Sequence, residues 1–191
     1  VLQLGLDRSP LQRVIQILKF HRDIYFSNTH KGDDLKPISA IITVLTAKLA
    51  SHHNPNCSTF ELLEYVINEL NKYSILMNNS SLSNIHYSLD DNIISKYDGK
   101  WYIENPANPE DNLADKWDKN RDIPVNFFKW IQIVKTDLID SLALSDTEFR
   151  ASLENSFGNS QVSKVLNEKY CNQSKSKPIL AETAPKPYGT L

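Results

Sequence analysis

Lys19, Arg22 and Ser39 are the residues of this chain whose types and spacing best suit chemistry. Lys19 and Arg22 lie three positions apart, which puts both cations on one face of a helix. Ser39 falls in the first turn of the next predicted helix. There, unpaired backbone N–H groups and the positive end of the helix dipole favour an anion. If the two helices pack antiparallel, Lys19 comes level with Ser39, and a lysine, a hydroxyl and a helix N-terminus together can hold a phosphate. A plainer arrangement uses the same residues: Lys19 pairs with Asp23 four positions on, and Ser39 is an ordinary first-turn residue.

A second candidate is the run Glu104-Asn105-Pro106-Ala107-Asn108-Pro109-Glu110-Asp111-Asn112. Each proline fixes its own φ and pushes the residue before it into extended geometry. Asn side chains bond nearby backbone groups. Such a rigid loop either buttresses a fold or shapes a pocket, and the residues by themselves favour the buttress.

Other chemistries find no support. His52 and His53 are adjacent and point apart on a helix, and His21, His30 and His86 are scattered. No HExxH or Cys/His cluster suggests zinc. Five glycines and no GxSxG or GxxxxGK[ST] exclude the Gly-rich phosphate loops and the nucleophile elbow. The acidic pairs Asp33-Asp34 and Asp90-Asp91 sit in polar loops, where adjacent carboxylates are usually solvated.

The elements that must position these residues are helical. Ser9-Pro10 opens a helix, with Leu11, Val14, Ile15 and Leu18 as its apolar stripe, fading near Phe26. Residues 28–36 read as a polar loop. A second helix opens at Lys36-Pro37 with the stripe Ile38, Ile41, Ile42, Leu45 and Leu49. Ser58 and Glu61 form a capping box for a third, which buries Leu62, Leu63, Val66, Ile67 and Leu70. Residues 78–84 form a polar linker. Asp98-Gly99, between aromatic-rich runs, predicts a short hairpin. A helical turn is expected near Trp117, a helix from Pro124, and another capped by Ser145 and Glu148 and closed by Gly158. A last short helix is expected over 161–170. Residues 172–191 lack periodicity and read as a flexible tail. The fold class is mainly α: a helical bundle lobe over 1–171 with one small β-hairpin, then the tail.

Composition sets outer limits. At 191 residues, 40% hydrophobic and 23% charged, most of the chain can bury one core. No run approaches the roughly 18 apolar residues of a membrane span. Lys+Arg 21 against Asp+Glu 23 gives no global positive field, so DNA is not an expected partner. Cys57 and Cys171 make no disulfide framework, which suits a reducing cytoplasm. The chain opens at Val1 without a signal-peptide pattern and reads as one entered midway.

Three segments, in order, resemble the helical region of the bacterial cGAS/DncV-like nucleotidyltransferases, the cyclic-oligonucleotide synthases of anti-phage CBASS systems. They are Leu11-Gln12-Arg13-Val14-Ile15-Gln16-Ile17-Leu18-Lys19-Phe20-His21-Arg22-Asp23-Ile24-Tyr25-Phe26, Lys36-Pro37-Ile38-Ser39-Ala40-Ile41-Ile42-Thr43, and the run from Trp101-Tyr102-Ile103 through both Asn-Pro units to Ala114-Asp115-Lys116-Trp117. The last is the most specific.

The resemblance implies that Lys19 and Ser39 contact the triphosphate of a bound nucleotide, with Arg22 assisting. It implies NTP substrates, Mg2+ held by a core lobe, and a C-terminal segment (Pro185-Lys186-Pro187-Tyr188-Gly189-Thr190-Leu191) engaged by an E1/E2-like partner. The family's Gly-Ser motif and strand-borne aspartates are not in this chain. The core lobe is therefore expected elsewhere, and this chain alone is not expected to catalyse. Two alternatives stay open: a nucleotidyltransferase of the same superfamily that acts on RNA, and a helical protein-interaction module that binds no nucleotide.

Overall fold

In the computed structural model, residues 8–77 and 93–163 are described. The polar linker expected at 78–84 and the tail expected at 172–191 lie outside them. The described chain is helical apart from one two-stranded antiparallel sheet, as the residue pattern predicts.

Ser9 caps α1 (Pro10–Ser27) reciprocally: its hydroxyl accepts from the Gln12 N–H at 3.3 Å, and the Gln12 side chain accepts from the Ser9 N–H at 3.1 Å. The following loop is not wholly irregular. It holds a short helix, α2 (Gly32–Leu35), entered through Lys31 at φ 55°. A Cβ on Gly32 would lie 1.8 Å from the Phe26 carbonyl oxygen, so only glycine permits this close return of the chain.

α3 runs over Ser39–Ala50, starting two residues after Pro37. Lys36, the residue before that proline, is extended at ψ 125°, as proline requires of its neighbour. α4 (Thr59–Lys72) carries the expected Ser58/Glu61 capping box and runs into a 3-10 turn, Tyr73–Met77. The hairpin pairs β1 (Ser95–Tyr97) with β2 (Lys100–Tyr102) around Asp98-Gly99, both at positive φ.

α5 (Asp115–Lys119) and α6 (Asp122–Val134) follow. α6 begins two residues ahead of Pro124, which costs little because a first-turn N–H has no helical partner. A π turn (Lys135–Ile139) and a 3-10 turn (Asp140–Ala143) lead to α7 (Asp146–Phe157), which Gly158 ends at φ 83°. Residues 159–163 are helical again.

One core joins these pieces. α1 touches α3, α4, α6 and α7, and Val14, Leu18, Phe26, Leu45, Val66, Ile67, Phe127, Trp130 and Ile131 are all buried. Trp101 of the hairpin packs edge-on to Trp117 at 5.3 Å, and Trp117 meets Phe127 at 5.1 Å. The hairpin is thereby stapled to α5 and α6.

The Asn-Pro loop is fastened at several points. Asn112 accepts from the Ile103 and Ala114 N–H groups at 3.0 and 2.9 Å and donates to the Trp101 carbonyl at 2.8 Å. Glu104 takes Lys48 of α3 at 2.7 Å. This is a buttress between the hairpin and α3. Among the described residues, no helix is long and apolar enough to cross a membrane.

Candidate functional site

α1 and α3 run antiparallel. Arg22, late in α1, meets Ser39 at the start of α3, while Pro10 and Leu11 share a groove with Ala47 and Ala50 at the other end. Apolar stripes on both helices bury Val14, Leu18, Ile41, Ile42 and Leu45 between them and their neighbours. That packing brings the second half of α1 against the first turn of α3.

Arg22 is 5% exposed and nearly saturated. Its Nη1 donates to Ser39 Oγ at 3.0 Å and to the Pro37 carbonyl at 3.1 Å. Its Nε and Nη2 donate to Asp23 Oδ1 at 3.0 and 2.8 Å. Because Ser39 Oγ accepts from a cation that has no acceptor of its own, the serine keeps its hydroxyl proton to donate elsewhere. Ser39 itself is exposed. An exposed hydroxyl whose proton no described acceptor takes, backed by a buried guanidinium, can donate to an anion.

Lys19 lies one turn before Arg22 on α1 and is half-buried. The i,i+4 pair with Asp23 that the spacing allows does not form, since Asp23 takes Arg22 and Lys36 instead. Among the described residues, no hydrogen bond or ion pair engages the Lys19 ammonium.

Lys36 reaches Asp23 Oδ1 at 2.9 Å. Burial works to raise the pKa of the Asp23 carboxyl. The hydrogen bonds and charges of Lys36 and Arg22 outweigh it and hold the group below its ordinary value. Ser39, Arg22, Asp23 and Lys36 thus form one continuous hydrogen-bonded chain, with the Ser39 hydroxyl and the Lys36 ammonium at its ends.

A cavity of about 1000 Å³ opens beside this corner, lined by Lys36, Pro37 and Ile38 on one side and by Asn112, Lys116 and Asn120 on the other. Lys19, Arg22 and Ser39 are not among its lining residues. Among the described residues, no cluster of three His, Cys, Asp or Glu side chains could hold a metal.

The chain is similar to a c-di-GMP synthase. That protein, from Roseivirga ehrenbergii, is 27% identical over 161 residues. The match takes in 83% of this chain but only 36% of the synthase, so the chain spans about a third of its relative's length. No family profile matches the chain.

Two features of the site escape a reading of spacing. Lys36 reads as the opening of a helix, and its pairing with Asp23 crosses thirteen residues and depends on the α1–α3 turn. On the other side of α1, His21 is buried: its Nδ1 accepts from Trp130 Nε1 at 3.1 Å and its Nε2 lies 3.2 Å from Asp137 Oδ2. Ser156 of α7 donates to that same carboxylate oxygen at 2.8 Å. These partners lie more than a hundred residues from His21, and no local motif announces them. Their effect is to lock the rotation of α1, and so the face that carries Lys19 and Arg22.

Proposed function

We propose that this chain is the helical lobe of a cyclic-oligonucleotide synthase, and that the corner between α1 and α3 grips the triphosphate of a bound nucleotide. The observation that carries this reading is the Arg22–Ser39 contact at 3.0 Å, one turn from Lys19, whose ammonium no described residue engages. The similarity to the c-di-GMP synthase supports it at the level of reaction class. So do the three segments that resemble the cGAS/DncV-like enzymes.

The division of labour follows from the hydrogen bonds. Ser39 donates its hydroxyl proton to a phosphate oxygen. Lys19 supplies a mobile ammonium that follows the phosphate as charge moves onto the leaving pyrophosphate. Arg22 does not reach out; it fixes Ser39 and ties the end of α1 to the strap before α3. The complete enzyme joins nucleotides by nucleotidyl transfer from NTPs. Mg2+ assists such transfers by neutralising phosphate charge. Among the described residues, no cluster of carboxylates could hold that ion, and in this reading the part of the enzyme outside this chain holds it.

The test is product analysis on the whole enzyme that contains this chain, supplied with ATP, GTP and Mg2+. Lys19→Met and Ser39→Ala should each lower kcat/KM roughly 10- to 100-fold, the range of one charge-assisted hydrogen bond. Unchanged rates in both variants remove the grip. Linear additions to an RNA end, in place of a cyclic product, contradict the synthase reading.

A further inference from the structure

We propose that Lys36 is a further phosphate-contacting residue of the grip, held in reserve by Asp23, which serves as the empty site's own counter-anion; this rests on the functional reading above. Asp23 Oδ1 receives three donors, Arg22 Nε at 3.0 Å, Arg22 Nη2 at 2.8 Å and Lys36 Nζ at 2.9 Å. Two cations share one carboxylate, so this small cluster carries a net positive charge before Lys19 is added. The two cations are not equivalent. The Arg22 side chain is 6% exposed and the Pro37 carbonyl and Ser39 also bind it, so it is part of the framework. The Lys36 side chain is 35% exposed, and Asp23 takes only one of its three N–H donors.

Lys36 also stands where a ligand can reach it. It lies three residues before Ser39 and lines the cavity of about 1000 Å³ beside the corner. A triphosphate carries several negative charges against the single charge of Asp23, and a half-exposed ion pair is weak and easily exchanged. When a phosphate oxygen takes Lys36, Asp23 keeps Arg22 and is not left as an uncompensated charge. Asp23 therefore keeps the cations ordered while the site is empty, and competes with the phosphate for Lys36 when it fills. A purely structural pair behaves differently: loss of Asp23 then lowers stability and leaves binding unchanged or weaker.

The test uses inorganic tripolyphosphate, which isolates the phosphate grip from base recognition, titrated into this chain with chemical shifts as the readout. Asp23→Asn should tighten binding by about threefold even though it lowers folded stability. Lys36→Met should weaken binding by a similar factor. In the double variant the gain from Asp23→Asn should vanish. If Asp23→Asn leaves binding unchanged or weaker while Lys19→Met still weakens it, the reserve is wrong and the grip stands. If the gain persists without Lys36, then Lys36 is not the residue released. If neither Lys19→Met nor Ser39→Ala alters binding, or no variant binds, the functional reading falls and this inference with it.

Discussion

Arg22 Nη1 donates to Ser39 Oγ at 3.0 Å and, from the same nitrogen, to the Pro37 carbonyl at 3.1 Å. One buried guanidinium thus fixes both the first residue of α3 and the strap that leads into it. Truncation to Arg22→Ala strands these acceptors and frees the end of α1. The expected loss of stability is roughly 1.5–3 kcal/mol, measured by urea unfolding. Arg22→Lys keeps the charge but not the planar fork, and should recover little of that loss. Wild-type stability in Arg22→Lys contradicts the framework role.

Asp23 makes stability depend on pH in a defined direction. Its folded pKa lies below the ordinary value of 3.8. The unfolded chain therefore takes up the proton first as pH falls. The contribution of Asp23 is fully present above the ordinary carboxyl range and is lost as pH drops through the lowered native value. With a side chain 48% exposed, solvent screening limits that contribution to less than about 1 kcal/mol. Unfolding free energies followed from neutral to acid pH should show a smaller acid loss in Asp23→Asn than in the wild type. An identical acid limb in both proteins contradicts the pairing.

His21 carries a fixed tautomer. Trp130 Nε1 can only donate, so Nδ1 of His21 must accept, and the ring proton sits on Nε2 facing Asp137. Nitrogen-15 spectra should report a neutral ring protonated at Nε2. Trp130→Phe removes the donor, leaves a buried acceptor unpaired and should cost roughly 1–3 kcal/mol on unfolding. A ring protonated at Nδ1 rules out this network.

Much of the helical frame was legible because its signals are local. Ser58 with Glu61 and Ser145 with Glu148 mark helix starts within four residues, and both boundaries fall where the side chains place them. The hairpin was legible from Asp98-Gly99, which supply the positive φ its turn needs. α3 starts at Ser39, two residues beyond the Lys36-Pro37 opening that the pattern predicts, since the residue before a proline resists helical geometry. No local signal marks α2, because Gly32 answers a steric demand from Phe26 that only the folded chain creates. At the site, spacing singled out Lys19, Arg22 and Ser39, but it did not reveal that Arg22 is buried and occupied. Nor did it show Lys36 closing on Asp23. Those facts belong to the α1–α3 packing.

In the proposed function, a nucleotide triphosphate is held where Arg22 meets Ser39, one turn from Lys19. Chemical-shift mapping of GTP and ATP on this chain tests it most directly. The shifts should concentrate at Lys19, Arg22, Lys36 and Ser39, and disappear when Lys19→Met and Ser39→Ala are combined. Shifts centred instead on Lys116 and Asn120 across the neighbouring cavity, or shifts undiminished in the double variant, contradict it.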